Sequence, residues 1–290
     1  MCSSDLPRTI RRHQTRLLLP TLAPPEGGTL ASGHIALDRE HAHHLIRVLR
    51  LHVGDQLELL DGQGHCYWAT IASLSKDHAT LTIASQCYVP LNPLQITLVQ
   101  GLSAADHMDF SLQKGVELGL HRFIPVNCER SVSRIDAARS ESKLRHWQKV
   151  AQASCMQSAN PWLPHIHQAQ DLGSALDWMS SKTDASTTKS STFTYRWMLD
   201  PYANQSLNEM LSSNSQRGTT AQIPNRQVSL LVGPEAGLSD QEVNAAKRAG
   251  FESIHLGPRT LRTETAAMAA IAVLQAAWGD WSQPASPRWI

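Results

Sequence analysis

After Pro90-Leu-Asn-Pro93 the chain settles into an alternation that narrows its fold more than any other feature. Short apolar runs at 96–99, 123–126, 197–199, 228–232 and 254–256 are separated by stretches of helical character, roughly 108–118, 142–157, 240–249 and 266–278. Apolar strands interleaved with helices predict an α/β domain whose mainly parallel sheet is covered on both faces. Two stretches interrupt the alternation. Residues 180–194 are nearly all Ser, Thr and Lys, and residues 212–225 are similarly polar; both are expected to be flexible surface insertions.

The preceding segment, 16–89, reads differently. Gln56-Leu-Glu-Leu-Leu60, Asp61-Gly-Gln-Gly64 and Cys66-Tyr-Trp-Ala-Thr-Ile71 spell strand, Gly-rich turn and strand, and Ala79-Thr-Leu-Thr-Ile83 adds a third strand. Before them, residues 40–51 predict a helix, with Ala42, Leu45, Ile46 and Leu49 on one apolar stripe and His43, Arg47 and Arg50 on another face. Short strands with one helix predict a small β-barrel. With 290 residues, two domains are expected: a flexible tail over 1–15, a barrel over 16–89 and an α/β domain over 90–290.

Composition removes several function classes. Lys and Arg number 26 against 25 Asp and Glu, a net charge of +1, so any nucleic-acid contact must come from local basic patches. The five cysteines are widely spaced with no CxxC pair, which excludes a zinc knuckle or disulfide framework and points to a reduced, cytoplasmic setting. The longest apolar run, 266–278, has 13 residues where a membrane span needs about 20. The spacing of His41-Ala-His-His44 fits metal ligation poorly, so no metal site is expected. No P-loop, GxGxxG or GxSxG sequence occurs.

A ligand must therefore be held in another way, and two loops offer one. Gly233-Pro-Glu-Ala-Gly-Leu238 follows the run 228–232, and Gly257-Pro-Arg-Thr-Leu-Arg-Thr-Glu-Thr265 follows 254–256. Loops at the carboxyl ends of parallel strands are where open α/β sheets bind ligands. Glycine admits close backbone approach and proline stiffens the loop. Ser239-Asp-Gln-Glu242 is a capping-box pattern that opens the next helix. Charged Glu235, Arg259, Arg262 and Glu264 beside the two Gly-Pro corners mark a site, although Glu264 also suits a helix N-terminus. The helix after the second loop has seven alanines in 13 positions, which fits tight core packing or a subunit contact.

Leu231-Val-Gly-Pro-Glu-Ala-Gly-Leu-Ser239 and Leu256-Gly-Pro-Arg-Thr-Leu-Arg-Thr-Glu-Thr-Ala266 resemble the bacterial 16S rRNA (uracil-N3)-methyltransferases of the SPOUT superfamily. The likeness extends to His44-Leu-Ile-Arg-Val-Leu-Arg50 with Val53-Gly-Asp55, to Gln113-Lys-Gly-Val-Glu-Leu-Gly119 and to Cys128-Glu-Arg-Ser-Val132. It covers nearly everything from Arg16 to Asp280. Three departures stand out. Ala236 replaces a second glycine, Met156-Gln-Ser-Ala-Asn160 lacks both charged positions of the family segment, and His107 stands where a cation is usual.

The resemblance implies a PUA-like barrel followed by a domain with a deep trefoil knot. It also implies S-adenosylmethionine (SAM) as cofactor, with S-adenosylhomocysteine (SAH) as product, and a homodimer acting on 16S rRNA of the small ribosomal subunit. SAM is expected against Leu199, Leu231, Val232, Gly233, Pro234, Glu235, Gly237, Leu256, Gly257, Leu261, Arg262 and Thr263. Arg262 is the candidate to stabilise a uracil anion, and Glu264 the candidate base or orienter of Arg262. Arg16, His43, Arg47, Arg50, Lys114, Arg130 and Arg134 are the candidate RNA contacts. Two readings compete: a noncatalytic RNA-binding scaffold that takes no SAM, and an enzyme acting on another rRNA or tRNA nucleotide, which the missing charges around Met156–Asn160 leave open.

Overall fold

The computed structural model describes residues 15–22, 33–184, 192–215 and 225–281. All of the expected N-terminal tail except Thr15 lies outside them, as do the centres of both expected insertions. The chain divides into two compact units.

In the first unit, alternating apolar residues build β1 (Arg16–Leu18), β2 (His34–Leu37), β3 (Gln56–Leu60), β4 (His65–Leu74) and β5 (Ala79–Tyr88). They form one sheet in the order β1-β3-β4-β5-β2, antiparallel except where β1 runs parallel to β3. Every strand sends side chains into one core, among them Leu17, Ile35, Leu57, Leu59, Tyr67, Ile71 and Leu81. The expected helix is shorter than its periodicity implied: α1 covers Arg39–His43 and continues as a single π-helical turn, His44–Val48. Asp38 caps it by accepting from the His41 N–H at 3.0 Å. Ala42 and Leu45 are buried in the sheet's core while His43, Arg47 and Arg50 are exposed, so the two predicted stripes separate as expected. Cys155–Leu163 also packs with this unit. Trp162 Nε1 donates to the Val89 carbonyl at 3.0 Å, and Leu163 N to the Gly62 carbonyl at 2.9 Å.

The second unit is an α/β layer structure. Its strands are β6 (Leu94–Gly101), β7 (Arg122–Asn127), β8 (His165–Ile166), β9 (Gln170–Asp171), β10 (Phe193–Leu199), β11 (Arg226–Val232) and β12 (Glu252–Ile254). All pairings are parallel, in the order β12-β10-β11-β6-β7-β8, with β9 also on β7. The helices are α2 (Ala105–Glu117), α3 (Ala137–Ser158), α4 (Leu172–Asp184), α5 (Leu207–Ser215), α6 (Asp240–Arg248) and α7 (Thr263–Trp278). On one face Val99, Ile124, Met198 and Leu231 pack with Leu176 and Met179 of α4 and Ala246 of α6. Helix α7 packs on α2, β6 and β11. Near its end the buried Gln275 donates from Nε2 to the Leu118 carbonyl at 2.8 Å and accepts from Asn92 Nδ2 at 3.1 Å.

Three expectations need correction. Residues 180–184 and 193–194 are not insertion but the end of α4 and the start of β10, and residues 212–215 complete α5. Both helices bury a stripe at i, i+3, i+4 and i+7, namely Leu172, Ala175, Leu176 and Met179 in α4 and Leu207, Met210, Leu211 and Asn214 in α5. Strand β12 ends at Ile254 instead of Leu256, because His255 bridges to Ser206 and the chain turns away.

Candidate functional site

Three loops leave the carboxyl edge of the parallel sheet side by side, after β10, β11 and β12. Between them lies a cavity of about 880 Å³. The two Gly-Pro loops do not follow paired strands: β10 separates β11 from β12, and its own loop, Asp200-Pro-Tyr202, completes the wall. Leu199, Val232, Gly233, Pro234, Glu235, Gly237, Leu256, Gly257, Leu261, Arg262, Thr263 and Glu264 all line the cavity. Leu231 does not; it is buried in the core behind it, beneath α4 and α6. Sequence reasoning missed Met198, Asp200, Pro201, Tyr202, Val243 and His255. Asp-Pro directly after an apolar strand was the available signal for the third loop.

The loops are fastened to each other. Thr263 Oγ1 donates to the Gly233 carbonyl at 2.6 Å and accepts from Gln100 Nε2 at 2.9 Å, so the loop after β12 reaches back across β10 to that after β11. Gly101, at the end of β6, sits directly beneath: a Cβ there would meet Pro234 N at 2.6 Å. Within the first loop Gly237 N donates to the Pro234 carbonyl at 2.9 Å with Gly237 in the left-handed region at φ 73°. Gly257, at φ 110°, donates its N–H to His255 Nδ1 at 3.0 Å. The predicted capping box forms, with Ser239 Oγ accepting from Glu242 N and Glu242 Oε2 accepting from Ser239 N.

The charges fall into two groups. Glu264, second residue of α7, is 9 % exposed and its Oε2 has no hydrogen-bond partner among the described residues. Glu235 Oε1 accepts from the Ala104 N–H at 3.1 Å and lies 3.3 Å from His107 Nδ1. Arg259 and Arg262 are exposed, and among the described residues neither guanidinium has a hydrogen bond or ion pair. One carboxylate sunk in the wall, Glu264, a second, exposed one, Glu235, and two unpaired cations at the rim can take a proton from a ligand and receive negative charge on it. Cys128 and Cys155 do not line the cavity, and burial pushes both up to about 12.

The candidate RNA contacts separate by what already holds them. His43, Arg47 and Arg50 are exposed with no ion pair among the described residues, and Arg50 adopts a left-handed backbone at φ 54°. Arg130 lines the cavity and donates to the Leu238 carbonyl at 3.2 Å, and Arg134 donates to the Cys128 carbonyl at 3.4 Å. Arg16 is drawn inward instead, with Nε 2.7 Å from the buried Glu58 carboxylate and Nη1 on the Met156 carbonyl. Lys114 pairs with Glu117 at 2.8 Å. Among the described residues, no three His, Cys, Asp or Glu side chains converge as a metal would require, and no helix is long and apolar enough to cross a membrane.

A family described as an RNA methyltransferase domain matches residues 90–275, and one described as an RNA methyltransferase PUA domain matches 37–84. Ribosomal RNA small subunit methyltransferase E of Buchnera aphidicola is 30% identical over 251 residues, 86% of this chain and 92% of that protein. Its namesake from Bacillus subtilis is 27% identical over 81% of this chain and 87% of its own length. Among solved structures, ribosomal RNA small subunit methyltransferase E from Neisseria gonorrhoeae, bound to SAM, superposes with a TM-score of 0.74 at 31% identity, covering 93% of this chain and 100% of that one. A SAM-bound methyltransferase from Legionella pneumophila gives 0.74 at 30% identity, covering 92% of this chain and 99% of that one. With matches to both halves and near-complete coverage of these relatives, the chain belongs to the ribosomal RNA small subunit methyltransferase E family of RNA methyltransferases.

Proposed function

We propose that this chain transfers a methyl group from SAM to N3 of a uridine in 16S rRNA of the small ribosomal subunit, in the cytoplasm and as a homodimer. One observation carries the reading. A buried carboxylate with an unsatisfied oxygen, Glu264 Oε2, stands two residues from the unpaired guanidinium of Arg262 in a glycine-lined cavity. The cavity suits SAM: apolar strand ends such as Leu199 and Leu256 offer a flat wall, loop backbone offers hydrogen bonds, and Glu235 and Glu264 face a ligand that carries positive charge. When bound, SAM supplies a methyl group on a sulfonium, an electrophile that needs no further activation.

The chain's own groups supply the rest. Glu264 Oε2 accepts the uracil N3 proton, and Arg262 stabilises the charge left on the ring by donating to a carbonyl oxygen. The fastened loops after β10, β11 and β12 fix the relative orientation of the two reactants, which is a large part of the barrier for such a transfer. We include in the proposal a trefoil knot made where residues 256–263 pass the loop after β11. His43, Arg47 and Arg50, with Arg130 and Arg134, contact rRNA phosphates; Arg16 and Lys114 drop from the set because Glu58 and Glu117 already answer their charges. The dimer uses the solvent side of α7, where Ala266, Ala269, Val273 and Ala276 line up with only small apolar side chains.

Calorimetry with SAM, followed by mass mapping of 16S rRNA from small subunits incubated with protein and SAM, tests the reading. A stoichiometric heat and one oligonucleotide carrying N3-methyluridine are expected. Absence of SAM binding would leave an RNA-binding scaffold instead. Sedimentation at micromolar concentration addresses the dimer, for which a clean monomer is the adverse result.

A further inference from the structure

Two acidic side chains meet one imidazole in the wall of the cavity. His107 Nδ1 lies 3.3 Å from Glu235 Oε1 and 3.9 Å from Glu264 Oε2. The three residues come from α2, from the loop after β11 and from the first turn of α7, so the fold has brought them together from distant parts of the sequence. Glu235 has a second donor in the Ala104 N–H, whereas Glu264 Oε2 is buried with none among the described residues. A single ring N–H cannot satisfy both carboxylates. The trio therefore carries two negative charges when the imidazole is neutral and one when it is protonated. Other charged groups lining the cavity are Arg130, Asp200, Asp240, Arg259 and Arg262, and His255 is the other titratable ring there. Asp106 precedes His107 on α2. None of these seven forms an ion pair with His107.

We propose that His107 sets how strongly this pocket prefers SAM over SAH, and makes that preference depend on pH. The idea rests on the SAM reading above. SAM and SAH share their ammonium, carboxylate and adenosine; they differ by the methyl group on sulfur and the positive charge it brings. A net charge of −2 in the trio favours the sulfonium more than −1 does, and histidine is the side chain whose charge changes in the neutral range. One unit of charge felt across a partly solvated cavity changes affinity about three- to ten-fold. Near neutral pH the pocket thus holds the methyl donor and lets the spent thioether go, and acidification erodes the distinction.

Calorimetric dissociation constants for SAM and SAH at pH 5.5 and 7.5, on the full chain, test this. In the unsubstituted protein the ratio Kd(SAH)/Kd(SAM) should rise about three- to ten-fold between the two pH values. In His107→Gln it should stay high at both, and in His107→Lys low at both; His255 is unchanged throughout. A flat ratio in the unsubstituted protein, or an undiminished rise in His107→Gln, overturns the proposal. Should His107→Lys fail to fold by circular dichroism, the comparison with His107→Gln still decides. No SAM binding by the unsubstituted protein at either pH would instead defeat the reading of the cavity itself.

Discussion

Thr263 Oγ1 donates a 2.6 Å hydrogen bond to the carbonyl of Gly233, thirty residues earlier, and this bond joins the two Gly-Pro loops of the cavity. Because Thr263 also receives the buried Gln100 amide, one hydroxyl ties both loops to the end of β6. Thr263→Val keeps the shape and removes the hydroxyl, leaving the Gly233 carbonyl without this donor. The expected cost is about 1–3 kcal/mol in urea unfolding, with SAM affinity reduced about ten-fold or more, and Thr263→Ser should recover most of both. Unaltered SAM affinity in Thr263→Val would mean that the bond does not shape the site.

Gly101 is needed for close approach. An added Cβ would lie 2.6 Å from Pro234 N and 2.9 Å from the Gly233 carbonyl carbon, backbone atoms that cannot rotate aside. Gly101→Ala should push the first loop out of place, costing about 1–3 kcal/mol of stability and most SAM binding. Thermal melts with and without SAM would separate the two effects.

The Arg262 guanidinium is exposed and has no partner among the described residues, and the residue's one helix bond, from Ala266 N to its carbonyl, is made by backbone, so truncating the side chain should leave the fold intact. Arg262→Ala is expected to abolish methyl transfer to small-subunit rRNA while SAM affinity stays within a few-fold. Undiminished turnover would remove Arg262 from the mechanism.

Arg47 and Arg50 project from the turn that follows α1. The pair Arg47→Glu with Arg50→Glu should weaken rRNA binding and flatten its salt dependence, by about 0.7–0.9 in the log–log slope for each phosphate no longer neutralised. Filter binding across a potassium chloride series measures this directly, and an unaltered slope would show the stripe to be idle.

His121 and His167 give the protein an acid-labile element. Burial holds both down to about 4, with Arg122 and His165 adding to the effect. The native state therefore keeps them neutral while the unfolded chain begins to take up protons near its ordinary value of 6.5. Their contribution is fully present above that value and is lost as pH falls from 6.5 toward 4. Urea midpoints should decline over this range, and less steeply in a His121→Gln, His167→Gln double variant.

Much of this architecture is legible in the residues alone. Strand β3 falls where Gln56-Leu-Glu-Leu-Leu60 places it, and the Ser239–Glu242 capping box forms as its spacing requires. Helices α4 and α5 escaped because polar tails, Ser, Lys and Thr in α4 and Ser and Asn in α5, drown a buried stripe of only four residues each. The same four-residue spacing as in Ser239–Glu242 recurs in Ser206-Leu-Asn-Glu209, where Ser206 N donates to Glu209 Oε2 and Glu209 N to Ser206 Oγ, and it marked α5 all along. Short β12 was misplaced by two residues because Leu256 is apolar for the sake of the cavity, not for the sheet. In the site, the residues adjacent in sequence to the Gly-Pro corners were visible. Gly101 and Gln100 were not, since their importance comes only from strands and helices meeting in three dimensions; His107 stood out only as a departure from a usual cation, and its place between Glu235 and Glu264 comes from the same meeting.

Gln275 gives helix α7 a far anchor. Eleven residues separate it from Glu264, about 16 Å of helix. The clasp of Gln275 on Leu118 and Asn92 resists any twist or slide of α7 about its axis. The aim of the carboxylate into the pocket is thus governed from the opposite end of the rod, like a key steadied by its bow. Loss of that grip would mis-point Glu264 while every loop around the cavity remained in place.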